Sequence, residues 1–209
     1  MSSIDTVAAL KHFKKHDETM ARLLAHSLKA TSPIQVPIAR KPSEYFASIA
    51  SSIVSQQIST KAADAIKKRV VAAVGKLTPE NVLAIDFMEL KSCGLSTKKT
   101  EYLKHNAGAW HEIPVGNFVH MSNEEIISEL IKLYGIGRWT AEMFLMFSMA
   151  RPDVFSYGDL GLMKSLYKHY NLKPHYVRKV QSTTEVWAPH RTTASLALWH
   201  TIDNGPVLL

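Results

Sequence analysis

The 209-residue sequence predicts an all-α fold. Three observations carry that expectation. Apolar residues recur three and four positions apart along most of the chain. Few segments alternate with period two, as half-buried strands would. Helix-starting and helix-breaking residues punctuate the sequence at short intervals.

Taken in order, residues 16–28 place Met20, Leu23, Leu24 and Leu28 on one helical face. Pro33, Pro37 and Pro42 then interrupt the pattern and mark the expected lobe boundary. A helix restarts over 43–56 with Tyr45, Phe46, Ile49, Ile53 and Val54 on one side. The next, 60–73, carries Ala62, Ala65, Ile66 and Val70, and Gly75 ends it. Thr78-Pro79-Glu80 reads as an N-cap with proline at the first helical position. Ser122-Asn123-Glu124-Glu125 is a capping box opening a helix through Ile126, Ile127, Leu130 and Ile131. Segments 138–149, 160–170 and 191–203 complete the predicted helices.

Composition narrows the function classes. Hydrophobic residues make up 46% of the chain, enough for a core. No apolar run is long enough to span a membrane. The N-terminal segment mixes charge with apolar residues, unlike a signal peptide. Cys93 is the single cysteine, which excludes an internal disulfide, a Cys-rich zinc site and a Cys-ligated iron–sulfur cluster. A reducing, intracellular compartment fits, with bacterial cytoplasm and eukaryotic nucleus both open. Lys and Arg number 25 against 18 Asp and Glu, a formal charge of +7 that favours a polyanionic partner. The ten histidines show no metal-ligand spacing, so neither metal nor cofactor is expected.

The most informative segment is Tyr134-Gly135-Ile136-Gly137-Arg138-Trp139-Thr140-Ala141. Two glycines around one apolar residue suit a tight turn, and glycine reaches positive φ cheaply. A helix starting directly after the turn points uncovered N–H groups and a positive dipole end outward, an anion site that a phosphate fills. A plain helix–turn–helix corner would use the same glycines. Leu133, Ala141, Phe144 and Leu145 make the segment resemble the helix-hairpin-helix DNA-binding element, which also occurs in polymerases, ligases and nucleases.

Beyond it runs Arg151-Pro152-Asp153-Val154-Phe155-Ser156-Tyr157-Gly158-Asp159-Leu160-Gly161-Leu162. Hairpin and segment together resemble the helix-hairpin-helix DNA glycosylase superfamily. Three further stretches are similar to its 3-methyladenine DNA glycosylase II branch: Ser55 to Ala63, Trp139 to Phe147, and His190 to Trp199. The resemblance covers about Tyr45 to Trp199. It implies two helical lobes with a DNA-binding cleft between them. The lobes would be approximately 1–40 plus 160–209, and 41–159 with the hairpin at about 124–149.

The function so implied is a monofunctional glycosylase. It would flip an alkylated purine out of duplex DNA, hydrolyse its N-glycosidic bond and leave an abasic site. Asp159 would be the catalytic carboxylate. An aspartate between a glycine and a helix is also a good N-cap, and both readings hold together. Trp139, Tyr157, Trp199 and Met143 would line the base pocket, although Tyr157 reads equally as a core aromatic. Gln56, Gln57 and Ile58 would fill the gap left by the flipped base. Ser59, Gly135, Ile136, Gly137, Arg138, Thr140 and Arg191 would contact DNA. Bifunctional members carry a lysine where this chain has Trp139, so no lyase activity is expected. Double-stranded DNA is the expected partner, and the protein is expected to act as a monomer. A non-catalytic protein binding lesions or abasic sites, and a glycosylase for another damaged or mismatched base, are the alternatives.

Overall fold

The computed structural model describes residues 4–202, and among these every regular element is helical. Twelve α-helices are described. They are α1 Thr6–His16, α2 Glu18–Lys29, α3 Tyr45–Ser55, α4 Thr60–Val74, α5 Pro79–Ala84, α6 Phe87–Ser92, α7 Thr97–Ala109, α8 Asn123–Leu130, α9 Arg138–Phe147, α10 Leu160–Tyr170, α11 Val177–Glu185 and α12 Arg191–His200. No helix among the described residues is long and apolar enough to cross a membrane.

The helices form two compact units. One joins the chain up to Ala39 with the chain from Leu145 onward; the other is Arg40–Phe144. The first crossing lies within the proline-punctuated stretch. The second falls inside α9, so residues 145–159 belong to the terminal unit rather than to the hairpin unit where the sequence reading put them. The expectation placed the boundary at the start of the 160–170 helix, whereas the chain is buried from Leu145 to Ala150 and again at Val154 and Phe155. Residues 1–3 and 203–209 of the expected first lobe lie outside the described residues.

In the Arg40–Phe144 unit, Tyr45, Phe46, Ile49, Ile53 and Val54 are all buried, as the α3 pattern requires. The Tyr45 ring meets Phe144 edge-on at 4.9 Å and stacks on Phe118 at 6.2 Å. In α4 the buried residues are Ala63 and Val70, so of the predicted stripe only Val70 reaches the core. Ser59, Thr78 and Ser122 cap α4, α5 and α8 through their side-chain oxygens.

In the terminal unit the core is organised around Asp17. Its Oδ1 accepts the Met20 amide and caps α2. Its Oδ2 accepts Tyr170 Oη at 2.7 Å and Trp187 Nε1 at 2.7 Å. Burial, with the Asp17 carboxylate beside it, drives the Tyr170 hydroxyl far above its usual pKa, so it stays a neutral donor. Trp187 is fully buried between Phe155 and Tyr170. The α1, α6, α7 and α11 helices had no individual prediction; α10 and α5 begin where their caps indicated. The helices expected at 122–131, 138–149 and 191–203 end earlier, at Leu130, Phe147 and His200.

Candidate functional site

The hairpin sits in the Arg40–Phe144 unit. After α8, Leu133 and Ile136 are buried and pin both sides of the turn. Gly135 takes φ +77°, and a Cβ there would collide with the Tyr102 ring. Gly137 differs: a Cβ would meet nothing within 4 Å, and its carbonyl accepts the Ala141 amide that opens α9. Gly135 therefore serves the turn, while Gly137 keeps the helix start uncovered.

Four side chains hold the turn from outside. Asn106, buried on α7, donates to the Tyr134 carbonyl at 2.9 Å and accepts the Tyr134 amide at 2.8 Å. The His105 ring stacks on Tyr134 at 3.6 Å. Tyr102 packs under Gly135. Gln56 donates through Nε2 to the Gly135 carbonyl at 2.8 Å. That last bond ties the glutamine turn to the hairpin through Gln56, one of the residues expected to fill the gap.

Gln57 and Ile58 remain exposed, and Gln57 adopts φ +57°. A side chain in this left-handed region costs about 1–2 kcal/mol and persists only where its surroundings impose it. Here Lys99 of α7 donates to the carbonyls of Val54 at 2.8 Å and Gln56 at 2.6 Å, at the C-terminal end of α3. Burial lowers the pKa of the Lys99 ammonium below its usual value. Sequence reasoning missed Lys99, Tyr102, His105 and Asn106. Lys99, Tyr102 and Asn106 share one face of α7, but no apolar stripe advertises that helix.

A cavity of about 560 Å³ lies in this unit, with Gln56, Gln57, Lys99, Trp139, Thr140 and Met143 among its lining residues. Trp139 is 47% exposed and offers a ring face; Met143 and Thr140 are buried beneath. Among the described residues the lining includes no carboxylate. Two lysines, Lys98 and Lys99, and two aromatic rings, Tyr102 and Trp139, are among the lining residues.

The two arginines expected to contact DNA are held by carboxylates. Arg138 donates to Glu124 through both Nη atoms and to Glu142 through Nε at 2.9 Å, joining α8 to α9. Glu124 raises the Arg138 pKa further, and Arg138 lowers that of Glu124. Arg191 forms a two-point pair with Asp153 at 2.7 and 2.7 Å, which raises its pKa. Both guanidiniums therefore brace their own unit. Ser59 likewise caps α4, accepting the Ala62 amide at 3.3 Å.

In the terminal unit Asp159 caps α10: its Oδ1 accepts the Leu162 amide at 2.7 Å. The same oxygen accepts Trp199 Nε1 at 3.0 Å. Trp199 is 3% exposed and packs on Phe147 at 5.8 Å, so it is a support for the carboxylate from the core rather than an open ring wall. Tyr157 is 44% exposed; its hydroxyl donates to Thr184 Oγ1 at 2.6 Å, because Thr184 already donates to Gln181. Neither Tyr157 nor Trp199 lines the 560 Å³ cavity. Among the described residues no group of three His, Cys, Asp or Glu side chains could hold a metal ion.

The profile of the HhH-GPD superfamily base excision DNA repair proteins matches residues 50–190. DNA-3-methyladenine glycosylase 1 of Schizosaccharomyces pombe is 38% identical over 157 residues, 71% of this chain and 68% of that protein. Relatives in Bacillus subtilis and Saccharomyces cerevisiae are 30% and 31% identical; the chain spans 56% and 64% of their lengths. The crystal structure of a DNA-3-methyladenine glycosidase from Bacillus halodurans superposes with a TM-score of 0.79 at 33% identity, covering 91% of this chain and 87% of that one. The S. pombe 3-methyladenine DNA glycosylase in complex with abasic DNA gives a TM-score of 0.75 at 30% identity, covering 96% and 100%.

Proposed function

Since the chain belongs to the HhH-GPD superfamily of base excision DNA repair proteins, in its DNA-3-methyladenine glycosylase branch, we propose that it is a monofunctional glycosylase acting on alkylated purines in duplex DNA. The observation that carries this reading is the Asp159 carboxylate, held at a helix N-terminus by Leu162 and Trp199. The uncovered N-terminus of α9 at Gly137 supports a phosphate anchor.

In this reading DNA is gripped lesion-independently at the hairpin, and a base is extruded for a few kcal/mol. Gln57 and Ile58, the exposed pair of the glutamine turn, fill the gap. The C1′–N bond then breaks, and its electron pair leaves with the base. A cationic alkylpurine departs neutral, which makes the bond weak. Positive charge builds on the sugar, as in glycoside hydrolysis. A carboxylate about 4 Å from it contributes roughly 4 kcal/mol at an effective dielectric near 20. Water adds to C1′ and its proton passes to Asp159 or solvent.

The test is incubation of the protein with dimethyl-sulfate-treated duplex DNA. Free methylpurine and an intact strand bearing alkali-labile sites are expected. Tight abasic-site binding without base release would move the assignment to a lesion-binding protein.

A further inference from the structure

Helix α7 carries two separate grips on one face. Near its start, Lys99 Nζ bonds the carbonyls of Val54 and Gln56. Two turns later, Asn106 bonds both backbone groups of Tyr134, the residue before the hairpin glycine. The first grip ends α3 immediately before the left-handed Gln57. The second fixes the start of the hairpin turn. Gln56 closes the loop between them, its backbone held by Lys99 and its side chain bonded to the Gly135 carbonyl.

We infer that Lys99 is a positioning residue: from α7 it holds the turn presenting Gln57 and Ile58 in register with the phosphate-binding hairpin. This rests on reading Gln57 and Ile58 as the gap-filling pair. The ammonium suits the task because three donors on a flexible stem reach two carbonyls that no longer bond within the helix. A cation at a helix C-terminus also complements the dipole there. Without it, the left-handed backbone at Gln57 loses the two carbonyl bonds that precede it. The expected defect is specific: the protein still grips DNA at the hairpin but fails to fill the gap.

The experiment uses a duplex with a tetrahydrofuran abasic analogue and 2-aminopurine opposite it, so that fluorescence reports the gap-filling turn on binding alone. Lys99→Met, Lys99→Gln and Lys99→Arg are compared with wild type, alone and combined with Gln57→Ala. Lys99→Met is expected to lose at least half of the fluorescence change, with affinity for undamaged duplex within about twofold. Lys99→Gln, which keeps a donor and guards against a failure to fold, falls between; Lys99→Arg recovers most of the signal. Lys99→Met adds nothing to Gln57→Ala, because both act through one turn. A full signal from Lys99→Met, no recovery with Lys99→Arg, additive losses, or no signal from wild type would overturn the inference. Absence of base release from methylated DNA would instead reject the glycosylase reading and leave the fluorescence comparison decisive for Lys99.

Discussion

Trp199 donates its indole N–H to Asp159 Oδ1 at 3.0 Å, the same oxygen that accepts the Leu162 amide at 2.7 Å. The carboxylate is thus fixed from α12 and from its own helix. Trp199→Phe keeps a ring in the core and deletes the donor. Excision under single turnover is expected to fall about tenfold, equivalent to ~1.4 kcal/mol, with a melting decrease of a few degrees. An unchanged rate would mean that the Trp199 bond is not needed to orient the carboxylate.

The two hairpin glycines are expected to fail differently. Gly135→Ala forces a Cβ into Tyr102 at positive φ and is expected to lower thermal stability markedly. Gly137→Ala meets open space, so it should melt near wild type yet bind damaged and undamaged duplex more weakly, whereas wild-type affinity should fall steeply as salt rises. Gel-shift titrations at two salt concentrations separate them. Equal binding by Gly137→Ala would remove the hairpin as anchor.

Product chemistry is expected to be purely hydrolytic. A lyase needs an amine to form a Schiff base, and the hairpin position for it holds Trp139. The Lys99 ammonium is bonded to two carbonyls. Borohydride trapping should yield no protein–DNA adduct, and strands should break only after hot alkali. A robust adduct at neutral pH would reverse this, with each lysine then replaced in turn.

Stability should fall in mild acid. His169 Nε2 is buried without a hydrogen-bond partner, and burial depresses its pKa. Burial, then the neighbouring His12, depresses that of His190. Both are neutral in folded and unfolded chains well above the usual histidine value. As pH falls through that value the unfolded chain takes up protons first, so stability drops until the lower folded values are passed. Melting at pH 7.5 and 5.5 should show the loss, and His169→Gln should reduce it. A melting temperature independent of pH across this window would exclude the coupling.

How far the sequence was legible follows from what makes each feature. The α3 core, the Ser122 capping box and the Asp159 cap were readable because periodicity and caps are local. Helix α7 was not, since its interactions are polar and distant in sequence: Lys99 to Val54, Asn106 to Tyr134. The carboxylate partners of Arg138 and Arg191 were hidden for the same reason: Glu124 lies on another helix and Asp153 is far away in sequence. Gln56 and Gln57, adjacent and identical in type, have opposite fates because only the backbone turn decides which side chain faces the hairpin.

In the proposed reaction Asp159 carries the chemistry, and single-turnover base release by Asp159→Asn measures its contribution. The asparagine oxygen keeps the Leu162 and Trp199 bonds, so the variant should fold and bind tetrahydrofuran-containing duplex like wild type. Release of methylpurine should fall by at least a hundredfold. Release at the wild-type rate would exclude Asp159 as the catalytic carboxylate.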